Sequence, residues 1–134
     1  MKPEIYVEFS LVFDNDFDVQ EVTRITGITP TESKNRCKNR YSPLTNKPIE
    51  GFWTINSDTY VGFDAEKAIN DITERIVPQI TKFANICNEH KGEAVFCIVA
   101  SFEKETKPAI YFERPFLDVV NALHATIQTD MYIE

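Results

Sequence analysis

The sequence predicts an α+β fold: a largely antiparallel sheet with helices mainly on one face and a partly ferredoxin-like order of strands and helices. Three observations carry that prediction. Ile5, Val7, Phe9, Leu11 and Phe13 alternate with Tyr6, Glu8, Ser10 and Val12, the period of a strand with one buried face. Ala68, Ile69, Ile72, Ile76, Ile80, Phe83, Ala84 and Cys87 recur at spacings of three and four, one apolar stripe along a helix. Residues 94–102 are nearly all apolar, which suits a central strand.

In chain order, the first strand occupies 5–13. Asp18 and Glu21 have capping-box spacing, with Phe17 and Val22 at the staple positions, so a short helix follows to about Thr26. Gly27 supplies the left-handed residue that ends it, and Pro30 prevents a restart. Residues 30–51 are polar and punctuated by Pro30, Pro43, Pro48 and Gly51, which predicts a long loop of the kind that carries function. Residues 52–56, with the sole tryptophan Trp53, read as a strand.

The long helix starts after Asp64, and Pro78 predicts a break near Ile76. His90, Lys91 and Gly92 close it. The run 94–102 is expected to form an antiparallel hairpin with a short strand over 109–112. Pro115 opens a last helix with Phe116, Val119, Val120 and Leu123 inward, and alternation over 127–133 closes the chain as a strand. A chain of 134 residues, 43% hydrophobic and 26% charged, suits one globular domain over residues 1–134.

Composition also bounds function. The formal charge of −7 disfavours affinity for phosphate backbones, so no nucleic-acid partner is expected, while a basic protein partner is compatible. No apolar run is long enough for a membrane helix, and the early start of the first strand leaves no room for a signal peptide; a cytoplasmic protein with no membrane partner is expected. Cys37, Cys87 and Cys97 have no disulfide or zinc-ribbon spacing. His90 and His124 have no partner at ligand spacing, so neither a metal nor another cofactor is expected.

Charge is segregated along the chain. Residues 30–51 hold Lys34, Arg36, Lys38, Arg40 and Lys47 against Glu32 and Glu50, a net +3 that leaves −10 for the rest. Lys34, Arg36, Lys38 and Arg40 alternate, so an extended segment would project them to one side as an anion site, with Trp53 or Tyr41 available for stacking. A solvated loop attracted to its own acidic body explains the same pattern. Asp14, Asp16 and Asp18 begin like a calcium loop, yet Val19 and Ile25 stand where its Gly and Glu belong, and capping by Asp18 accounts for that residue. No nucleotide-binding or hydrolase motif occurs.

Asp16, Phe17, Asp18, Glu21, Thr23, Gly27, Pro30, Thr31, Trp53, Ser57, Leu123, Ala125, Asp130 and Tyr132 together resemble a bacterial family of domains of unknown function, family 4279. The resemblance covers nearly the whole chain and implies a small bacterial protein. It marks Trp53, Asp130 and Tyr132 as family-level determinants with a structural role. Members often have a glycine shortly after the Pro-Thr pair, where this chain has the polar and basic stretch 33–40. Two functions stay open: a non-enzymatic protein-binding module of immunity or regulatory type, and a small-molecule or anion-binding domain using residues 34–40 and Trp53.

Overall fold

The computed structural model describes residues 2–41 and 48–134, the side chains of 38–41 and 48 excepted. Among the described residues, eight strands and four α-helices follow one another as β1 (Glu4–Phe13), α1 (Gln20–Thr26), β2 (Glu32–Lys34), β3 (Cys37–Tyr41), β4 (Pro48–Ile49), β5 (Gly51–Asn56), β6 (Tyr60–Val61), α2 (Glu66–Ile76), α3 (Ile80–His90), β7 (Gly92–Phe102), α4 (Arg114–Ala122) and β8 (Thr126–Ile133). The main sheet runs β2-β5-β1-β7-β8, with β6 extending the β5 side of β1. Every pairing in it is antiparallel except that of β7 with β8.

β1 is the organising strand. Ile5, Val7, Phe9, Leu11 and Phe13 are all fully buried. They join Ala94, Phe96, Ile98, Ala100 and Phe102 of β7 in one core with Ala68, Ile69, Ile72 and Ile76 of α2, Phe83 and Ile86 of α3, and Phe116 and Val119 of α4. Edge-to-face contacts between Phe9 and Phe83 and between Phe96 and Phe116 lock sheet to helices, at centroid separations of 5.2 and 5.1 Å. The helices thus cover one face of the sheet and leave the other open.

Local chemistry sets the element ends. Asp18 Oδ1 accepts the Gln20 N–H at 3.0 Å before α1, while the Glu21 carboxylate pairs with Arg24 rather than reaching back to complete a capping box. Gly27 ends α1 at φ 73°, where a side chain would be strained, and its N–H bonds the Thr23 carbonyl. Pro78 breaks the long apolar stripe as predicted: a 3₁₀ turn over Val77–Gln79 separates α2 from α3.

Four expectations are corrected. The cap of α3 is Lys91, at φ 55°, not Gly92. Gly92 instead opens β7, where an added Cβ would fall 2.6 Å from Phe13 Cε1, so absence of a side chain is what lets that ring close the core. Residues 109–112 form no hairpin with β7; Ala109 makes an isolated bridge to Asp64. The chain passes through α4 and returns as β8 parallel to β7, so the ferredoxin-like strand-strand-helix-strand ending becomes strand-helix-strand. Finally, 30–51 is not an unbroken loop. β2 adds to β5, β3 pairs with β4, and Lys47 lies outside the described residues.

Candidate functional site

The even-numbered residues of β1 face away from the helices, and strand register extends that face across the sheet. One row reads Asn56, Glu8, Cys97, Gln128; the next reads Tyr6, Val99, Asp130; a third reads Glu4, Ser101, Tyr132. Glu93, paired with Val12, lies on the same face. All four carboxylates of β1, β5, β7 and β8 therefore stand on the open side, and these four strands contain no Lys or Arg. The result is an acidic surface set with tyrosines.

Its groups are coupled. The Tyr132 hydroxyl donates to Asp130 Oδ2 at 2.8 Å, and the Tyr6 hydroxyl hydrogen-bonds Glu8, so each carboxylate has a tyrosine two residues away on its own strand. Burial raises the Glu8 carboxyl above its usual range, the Asp130 charge adds to the rise, and the Tyr6 hydroxyl opposes it. Burial, then the charges of Glu8 and Asp130, push the Cys97 thiol up as well. Val99 is only 6% exposed although it faces the open side, which gives the surface an apolar floor. Asn56 Oδ1, in the row of Glu8, is buried and has no hydrogen-bond donor among the described residues.

A thiol held protonated is a poor nucleophile, and that applies to Cys97 and also to Cys87, which burial pushes up to about 11. Carboxylates backed by tyrosine hydroxyls on a rigid sheet present fixed acceptors to cationic donors. The Ser10 and Thr54 hydroxyls, 2.7 Å apart, continue the polar surface toward β5.

The residues singled out in the sequence fall into two groups. Asp130 and Tyr132 lie together on the open face. The basic stretch does not assemble with Trp53. Trp53 is fully buried, lies tilted against Phe83 with ring centroids 5.6 Å apart and donates its indole N–H to Thr23 Oγ1 at 3.0 Å, so its ring is closed to any ligand. Arg36 is ion-paired with Asp16 at 2.8 Å. Lys34 is exposed on β2, in the row of Phe52, Val12 and Glu93, at the edge of the open face. The side chains of Lys38, Arg40 and Tyr41 lie outside the described residues. Glu8, whose carboxyl burial raises, carries no signal in the sequence because a polar residue alternating along a strand looks solvated; only the register with Asp130 gives it significance.

A family model described as a domain of unknown function, DUF4279, matches residues 3–134. The chain belongs to this family. No curated protein and no solved structure matches it. Several residues that carried the DUF4279 resemblance hold the scaffold of this chain together. Thr23 receives the Trp53 indole, Gly27 caps α1, and Thr31 accepts the Asn56 N–H at 2.9 Å. Ser57 accepts the Val7 N–H at 2.9 Å where β5 has ended and β6 has not begun, which satisfies β1 across the gap.

Proposed function

We propose that this chain is a non-enzymatic protein-binding module, of regulatory or immunity type, whose open sheet face receives a basic segment of a partner protein. The observation that carries this reading is the segregation of all four long-strand carboxylates onto the uncovered face, where the cations Lys34, in the row of Phe52, Val12 and Glu93, and Lys91, beside Val12 and Glu93, lie at one end, away from Glu8 and Asp130. A basic partner would be steered by that field and oriented by Glu8 and Asp130, with Tyr6 and Tyr132 supplying rigid contact area. A bacterial, cytoplasmic setting fits three free thiols and described residues in which no helix is long and apolar enough to cross a membrane. The anion-binding alternative draws less support, since it needs Arg36 released from Asp16 and an aromatic other than Trp53.

The test is capture from bacterial lysate at low and moderate salt, with the wild-type chain and the Glu8→Lys/Asp130→Lys double variant as baits. A stoichiometric basic partner held by the wild type, released by salt and lost in the folded double variant is the expected result. Equal capture by both baits, or none by either, rejects the reading.

A further inference from the structure

The two edges of the main sheet are built differently. One is β2, three residues long with Glu32 and Lys34, a short and charged strand that resists pairing. The other is β8, eight residues long with Asp130 as its sole charge, and among the described residues no strand pairs with its outer side. Three consecutive residues of β8 are large and exposed: Met131 at 42%, Tyr132 at 52% and Ile133 at 62%. Met131 and Ile133 lie opposite Ala100 and Phe102, on the helix side of the sheet, so the end of β8 runs beyond the helical cover. Apart from the single charge of Asp130, none of the usual devices that blunt an edge, whether proline, bulge or covering loop, is seen along it among the described residues.

We infer that two copies of this chain pair antiparallel through the outer edges of β8, about a twofold axis at Thr129. The sequence of β8 is self-complementary in that register. Met131 faces the partner's Ile127 and Ile133 faces the partner's Ala125 on the helix side, while Asp130 faces the partner's Gln128 and Tyr132 faces the partner's Thr126 on the open side. Moving the axis one residue along to Asp130 would set the two Asp130 carboxylates against each other; moving it back to Gln128 would place Met131 against the partner's Ala125 and Thr129 against the partner's Ile127, a poorer apolar match. Pairing in the chosen register satisfies the free backbone groups of β8 and covers Met131 and Ile133. It joins the two sheets into one, with both acidic faces on the same side. An edge of eight residues buries less than the ~800 Å² per partner of a standard interface, so association belongs in the micromolar range, at Kd about 1–100 μM. Because each copy carries −7, added salt strengthens the contact, the reverse of what a basic partner would show.

Sedimentation velocity from about 5 to 500 μM at moderate salt tests this. The expected result is a shift with concentration from the monomer mass of 15.4 kDa toward twice that value. Met131→Lys should hold the chain monomeric at the highest concentration without lowering its melting temperature, since the side chain is exposed. Under mild oxidation Thr129→Cys should form a covalent dimer, and Thr126→Cys should not, because only the former stands on the axis. A wild type that remains monomeric at 500 μM overturns the inference and leaves the edge to another protein's strand. A dimer indifferent to Met131→Lys, or equal crosslinking at 126 and 129, also overturns it.

Discussion

The two faces of β1 come from the same ten residues and have opposite chemistry. Toward the helices, five consecutive odd-numbered side chains are fully buried hydrophobics. Away from them stand Glu4, which is exposed, and Tyr6, Glu8, Ser10 and Val12, all partly exposed, with Tyr6 and Glu8 hydrogen-bonded to each other and Ser10 to Thr54. Because side chains alternate at every residue, a face that must be apolar for packing leaves its neighbour free to carry charge without touching the core. The fold is held by one set of residues and the proposed interaction surface is made by the other, on the same backbone.

The largest expected effect breaks the covered face. Phe9 packs against both Phe83 and Phe96, so Phe9→Ala should cost about 3–5 kcal/mol, read as a lowered midpoint in urea unfolding. Its neighbour Ser10 faces the open side, and Ser10→Ala should cost about 1 kcal/mol, the worth of its hydrogen bond to Thr54. Comparable losses for the two would mean that the faces are not energetically distinct. A smaller effect is expected at the seam where β7 begins. Gly92→Ala places a methyl carbon against the fully buried Phe13 ring, and the displacement should cost about 1–3 kcal/mol. An unchanged midpoint would show that the ring has room to move.

The covered face was the more legible of the two in the sequence. Alternation over 5–13, the apolar stripe from Ala68 to Cys87 and the Pro78 break are local patterns, and each produced the element it predicts. What failed depends on contacts distant in sequence. Whether β7 turns back on residues 109–112 or crosses over through α4 to β8 is decided by packing of α4 on the sheet, and no short-range signal reports it. Trp53 looked available because it follows a basic segment. The inward parity of β5, set by its register with Leu11, buries it instead. Asp130 and Tyr132 were legible as residues of interest from the family resemblance. Their relation to Glu8 required knowing that β1, β7 and β8 are adjacent.

The smallest effect sharpens the comparison from the open side and turns on pH. Glu8 sits where burial and Asp130 both disfavour its charge, so its carboxyl titrates higher in the folded chain than the usual 4.5. A group with a raised folded value binds its proton more tightly in the native state than in the unfolded one. It therefore costs nothing below about pH 4.5, and its ionisation takes stability away as pH rises through the folded value. Glu8→Gln removes that cost, and its amide keeps a donor in the row of Asn56, whose Oδ1 has none among the described residues. Thermal unfolding of the two proteins should coincide near pH 4 and diverge toward pH 7, with the variant the more stable. The same substitution deletes a carboxylate from the proposed contact, so a chain that gains stability at neutral pH while losing affinity for a basic partner would show that Glu8 is kept ionised for binding at the expense of the fold. Parallel stability curves across that range would instead mean that the open face is as well solvated as its exposure suggests and that Glu8 carries no such burden.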